Sequence, residues 1–232
     1  MAAGIWGVRD RTQRYSRRGS LTSTQIGAFT TTQVTELKAA QLAAINTTAL
    51  AGFDRDQIAA FSAIQIGGLK TEQIAAFSTA QIAAIESQDI RGLTRQQVTA
   101  LRSDQVGGLT SDQVTSFNAT QLAALETEDL IALSTDNIVA LTTGQMAAFT
   151  NAQISNLTTD QLRAITTGQI PALGTEDINV LTSRQVGALT TDQIDTMSVA
   201  QMQAVASTSL VTLSSPILWL SSAPQAWRAL FP

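Results

Sequence analysis

The chain has 232 residues, no Cys, no His and a net charge of −4. It is long enough for a sizeable core. Without those two residue types, disulfides, thiolate nucleophiles, zinc sites of the usual kind and imidazole acid–base chemistry are excluded. No apolar run of eighteen residues occurs, so no segment reads as a transmembrane helix.

In chain order, residues 1–20 come first and are basic. Arg9, Arg11, Arg14, Arg17 and Arg18 stand against Asp10, a balance of +4. No continuous apolar stretch follows those charges, so the segment does not read as a Sec-type signal peptide. It is expected to be a flexible basic arm, with a targeting arm as the alternative.

Residues 21–212 repeat one eight-residue phrase twenty-four times without an insertion, as in Leu157-Thr158-Thr159-Asp160-Gln161-Leu162-Arg163-Ala164. Unbroken spacing over that length means that every unit does the same structural job and stacks on its neighbours. Position 1 of the octad is Leu, Phe, Ile, Met or Val in every copy, and position 6 is Ile, Val, Leu or Met in every copy. Position 5 is Gln in eighteen copies, and position 2 is Thr, Ser, Asn or Asp in seventeen. An uninterrupted α-helix would advance about 800° in eight residues and smear the apolar stripe around its axis. A β-strand would send positions 1 and 6 to opposite faces.

A capped short helix accommodates all four positions. With position 2 as N-cap, the Gln at position 5 is the third helical residue and completes the capping box Ser/Thr-x-x-Gln. Positions 1 and 6 then have the spacing of a hydrophobic staple. Small residues at positions 7 and 8 let successive helices approach. Each octad is predicted to form a helix of about six or seven residues, roughly 10 Å long. Such helices need tertiary burial to persist. The fold class expected is therefore all-α: a solenoid of about 24 very short capped helices, one per octapeptide. A β-solenoid is the alternative, disfavoured because Ala and Gln are poor strand formers. The caps expected to matter are Thr158, Gln161, Thr190, Gln193, Thr110 and Gln113. The matching core residues are Leu157, Leu162, Leu189, Ile194, Leu109 and Val114.

Departures at position 5 (Ala49, Asp89, Asp129, Asp177, Ser209) mostly recur every forty residues. This reads as a superhelical turn of about five octads, as an ancestral forty-residue duplication, or as both. Residues 213–232 follow the array and are bulky and apolar, with Pro216, Trp219, Leu220, Trp227, Leu230 and Phe231. They are expected to cap the last core face. Contact of this tail with a membrane or a partner is the alternative.

No constellation for catalysis emerges. Paired carboxylates, a nucleophile beside a base and a phosphate-cradling Gly loop are all missing, so an enzyme is not expected and no cofactor is implied. The repeats carry eight basic and seventeen acidic residues, and an acidic array does not attract phosphate backbones, so nucleic acid is not an expected partner. The Thr/Ser ladder at positions 2 and 3 suggests ice binding, but a capping hydroxyl is already engaged with a backbone N–H. Acids at position 4, such as Asp104, Asp112, Asp160 and Asp192, sit in first helical turns, where the helix dipole accounts for them. The pairs Glu86/Asp89, Glu126/Asp129 and Glu176/Asp177 are the candidates for weak calcium sites.

The octad resembles the tandem LTTxQIAAL-type octapeptide repeats of proteobacterial proteins, over residues 21–213. That resemblance implies a bacterial repeat protein, exported or surface-associated. Leu181-Thr-Ser-Arg-Gln-Val-Gly-Ala-Leu189 and Leu93-Thr-Arg-Gln-Gln-Val-Thr-Ala-Leu101 are also similar to the first helix of transcription-activator-like effector repeats. Those repeats are far longer and add a second helix and a base-reading loop that the octad lacks, so their DNA binding does not carry over. The function expected is a non-enzymatic structural or protein-interaction scaffold, with a protein partner or self-association. The alternatives are a secreted or surface protein binding ice or calcium, and an exported bacterial effector.

Overall fold

A computed structural model describes residues 21–209 of the chain. The expectations for residues 1–20 and 213–232, a basic arm and an apolar cap, lie outside the described residues. The chain divides into two compact units, Met1–Leu125 and Glu126–Pro232. Among the described residues there are helices and no strands, so the protein is an all-α solenoid of short helices and not a β-solenoid.

In the first unit thirteen octads give thirteen elements, from Ser23–Gly27 to Ala119–Leu122, one of them the 3₁₀ turn Ile90–Gly92. In the second unit the elements run from Thr127–Leu130 to Val199–Ser209 and include the 3₁₀ turn Ile170–Ala172. The local cause is visible at Ser111–Ser116. Thr110 is extended (φ −76°, ψ 158°) and caps the helix, which then ends at Phe117 (φ −64°, ψ 137°). The N–H of Val114 donates to the Thr110 carbonyl at 3.0 Å, and the N–H of Phe117 closes a tighter turn onto the Val114 carbonyl at 3.2 Å. Positions 1 and 2 are thus spent on an extended link. That is why the single-octad helices have four to six residues, shorter than the six or seven that the spacing suggested.

One boundary fails to break. Val199–Ser209 runs on past Val205 as an eleven-residue helix. Ala206 occupies the cap position there and has no oxygen to hold an N–H, while Ser209 replaces the Gln. With both halves of the box missing, continuing the helix is the better use of the backbone groups.

Every position-6 residue from Ile26 to Met202 is buried, and so is every position-1 residue from Leu37 to Val205. Phe53 and Phe61, from successive octads, meet edge to face with ring centroids 5.1 Å apart. Helices three octads apart pack together in each unit: Thr47–Leu50 on Ser23–Gly27 in the first, Asn151–Asn156 on Thr127–Leu130 in the second. Hydrogen bonds between turns recur at separations of 25, 28 and 31 residues, or about three to four octads. The expectation of five octads per turn is therefore corrected. Stacking is set by how sharply the two-residue link bends each octad, and forty residues correspond to more than one turn. The forty-residue period survives as local variation, because the 3₁₀ turns Ile90–Gly92 and Ile170–Ala172 start two such intervals apart.

Candidate functional site

Positions 1, 5 and 6 face inward; positions 2, 3 and 4 face solvent or are half-buried. Chemistry or recognition by the described residues must therefore come from positions 2, 3 and 4, from exposed residues at position 7 such as Arg91, Ile131 and Val139, or from whatever position 5 does inside.

Position 5 has two jobs. In the helix Thr159–Ala164, the Thr158 Oγ1 accepts from the Gln161 N–H at 3.1 Å, and the Thr158 N–H donates to Gln161 Oε1 at 3.0 Å. The Gln161 Nε2 then donates to the carbonyls of Leu130 and Leu133, at 3.0 and 2.9 Å, in the turn below. Gln193 repeats the pattern, paired with Thr190 and donating to Leu162 and Ile165 at 2.8 and 2.6 Å. So does Gln113, paired with Thr110 and donating to Ile82 and Ile85 at 2.8 and 2.7 Å. The core residues sit where these joints close. Leu162 and Val114 are fully buried, Leu157, Leu109, Leu189 and Ile194 nearly so, and the Leu157 carbonyl receives the Gln185 amide at 2.8 Å.

The joint between turns was not foreseen from the octad. A signal for it exists: a capping box accepts Glu as readily as Gln, yet position 5 contains no Glu in any octad. Only an amide offers an acceptor for the cap and two donors for the carbonyls of another turn. Where Lys38, Lys70 and Arg102 replace the capping hydroxyl, their backbone N–H groups still donate to Gln41, Gln73 and Gln105 at 2.9, 2.8 and 2.9 Å. The amide persists where the hydroxyl does not. At Thr182/Gln185, where the Thr182 hydroxyl also donates to Gln185 Oε1 at 2.9 Å, a double-mutant cycle to Ala is expected to show coupling of about 0.5–1.5 kcal/mol in unfolding free energy, because that bond joins the two side chains. Independent effects would mean that the reciprocal pair contributes nothing.

The acids replacing Gln behave differently. Asp89 accepts from the Ala63 N–H at 2.7 Å, across turns. Asp177 is buried and accepts from the Gly174 N–H at 2.8 Å within its own octad. Burial, more than the nearby Glu176 charge, pushes the Asp177 carboxyl above its ordinary range despite that hydrogen bond. A raised native value means that the folded state holds the proton more tightly than the unfolded chain does. The second unit therefore gains stability from this group as pH falls through the raised value towards the ordinary Asp range, and loses it as pH rises. Asp177→Gln is expected to abolish that component, seen as a flatter acid-side curve of melting temperature against pH. An unchanged curve would count against it.

No carboxylate cluster for a cation forms: among the described residues no three acidic side chains are grouped to hold a metal. Glu86/Asp89 and Glu176/Asp177 instead have their Asp oxygens engaged by backbone N–H groups. Hydroxyls at the cap position, from Thr22 to Ser198, accept helix N–H groups. A shallow cavity of about 380 Å³ in the first unit lies between Arg55 and Arg102 over Ala76 and Ala80. Arg102 is committed there: it forks onto Asp104 at 2.9 Å and donates to the Ala75 and Phe77 carbonyls. That fork holds the exposed Asp104 carboxyl below its ordinary range. No helix among the described residues is long and apolar enough to cross a membrane.

The ALTTAQ repeat family matches residues 82–119, 122–159, 156–191 and 172–215, together more than half of the chain. The motif is legible in Ala188-Leu189-Thr190-Thr191-Asp192-Gln193. No curated protein matches the chain.

Proposed function

The chain belongs to the ALTTAQ repeat family, and from that premise we propose that it is a non-enzymatic, bacterial protein-interaction scaffold. One observation carries this reading. The positions that the octads share most closely, 1, 5 and 6, are turned inward, while the outward positions vary over a regular backbone. Position 3 is Arg55, Thr79, Arg95 or Asn151, and position 4 is Asp56, Ile64, Gly144 or Arg184. A regular frame with variable outer side chains suits recognition of another macromolecule better than turnover of a small one.

The second unit supplies a direction. Its described residues carry nine carboxylates against Arg163 and Arg184, so a protein partner with a basic contact face is favoured, and rising salt weakens it. Affinity capture with the full chain tests this. The expected result is a stoichiometric protein partner, retained at low salt and lost when Asp160 and Asp192 are replaced by Asn, at an unchanged melting temperature. Turnover of a small substrate by the purified chain would contradict it.

A further inference from the structure

The joints between turns have a direction. A glutamine amide donates downwards, and the carbonyls at positions 6 and 1 of the octads four and three places earlier accept. At the start of the array no described residue lies below the donors. Gln25 and Gln33 each accept from their cap N–H at 3.0 Å, and their Nε2 groups meet no acceptor among the described residues. They are half-buried, whereas the corresponding amides from Gln57 onwards are buried. Leu21 and Phe29, on the same end, are the two position-1 residues that the array leaves incompletely covered.

At the far end the situation inverts. Gln201 is the last position-5 amide, donating to Ile170 and Leu173 at 2.9 and 2.8 Å. The next two carbonyl pairs beyond Ser209's share of the pattern are Val186/Leu189 and Ile194/Met197, and among the described residues no side-chain amide reaches either. Counted on in octads, a twenty-fifth Gln would meet Val186 and Leu189, and a twenty-sixth Ile194 and Met197.

We propose that a second copy of this chain stacks end on end. Its Gln25 would act as the twenty-fifth donor and its Gln33 as the twenty-sixth, while Leu21 and Phe29 are covered by the preceding copy. This deepens the scaffold reading and rests on it by naming one partner as the chain itself. The contact repeats the joint that each unit already makes between its own turns, so it needs no new chemistry. It is heterologous: donor face on acceptor face leaves a donor face and an acceptor face open, so growth continues beyond two copies.

Sedimentation velocity and light scattering of the full chain across concentration test this. The expected result is a series of species extending past the dimer. In Gln25→Glu/Gln33→Glu each side chain keeps the oxygen that accepts the cap N–H but loses its donors and gains a charge. The concentration for half-association is expected to rise at least about tenfold. Thr24→Glu adds a charge on the exposed neighbouring position without removing a donor, and is expected to keep the series at high salt. Three results would overturn the proposal: a monomer at every concentration, as when residues 1–20 or 213–232 of the same copy hold these faces; a closed dimer; or equal association by the Gln→Glu variant. Any of them with a captured heterologous partner leaves the scaffold reading standing. A lost partner with intact stacking does the reverse.

Discussion

Replacing Gln105 by Leu is expected to lower the unfolding free energy by about 3–5 kcal/mol, with little change in the slope against denaturant. The side chain is fully buried and satisfies three backbone groups at once. The Arg102 N–H donates to its oxygen at 2.9 Å, and its amide donates to the carbonyls of Ile74 and Phe77 at 2.9 and 2.7 Å. A leucine fills similar volume, so cavity formation is minor and the loss measures the hydrogen bonds that three interior backbone groups no longer make. Each costs about 1–3 kcal/mol, partly relieved by relaxation. Losing the cap alone would cost only about 0.5–2 kcal/mol. Chemical denaturation separates the two: a loss near 1 kcal/mol would mean that the amide's bonds to the lower turn are energetically empty.

Gly92→Ala is the second large effect. A Cβ there would stand 2.1 Å from the Ala63 carbonyl oxygen and 2.7 Å from its carbonyl carbon and Cα. These are backbone atoms of the stacked turn and cannot rotate away. Turns must separate locally, loosening the Asp89 contact to the Ala63 N–H, at a cost of about 1–3 kcal/mol or more. Gly144 is the control: a Cβ there meets nothing within 4 Å, and Gly144→Ala in the helix Thr143–Met146 is expected to stabilise by about 0.4–1 kcal/mol. Thermal melts of the two variants should therefore move in opposite directions. A shift of the same sign for both would show that close approach of turns does not limit this position.

Much of this architecture is written in single octads because its causes are local. Capping and staple contacts lie three to five residues apart, so Thr110, Gln113, Leu109 and Val114 announce a short helix and its buried side without reference to anything else. The same strictness conceals the rest. When every octad resembles every other, a contact three octads away leaves the same trace as one five octads away. The winding was therefore misjudged from Asp89 and Asp129, whose forty-residue spacing is real but does not equal a turn. Gln105 shows the limit most clearly. Its partner three residues earlier follows from the octad, whereas Ile74 and Phe77, 31 and 28 residues back, follow only from how sharply each link bends. Glutamate's absence from position 5 was the one trace in composition of that distant contact. Arg102 is a second case: it stands at the cap position, and its fork onto Asp104 arises from the side chain's length, which no periodic pattern encodes.

The central claim is that the position-5 amide, beyond capping its own helix, ties one turn to the next. Glutamate caps as glutamine does but cannot donate, so the most direct measurement is the unfolding free energy of Gln105→Glu set beside that of Gln25→Glu. The account predicts a loss of about 3–5 kcal/mol at Gln105, where two carbonyls each lose one donor and a charge is buried, shrinking as pH falls and the introduced carboxyl takes up a proton. In the dilute, unassociated chain the Gln25 amide has no acceptor among the described residues, and the change predicted there is within about 0.5 kcal/mol. Equal effects at the two sites would contradict it.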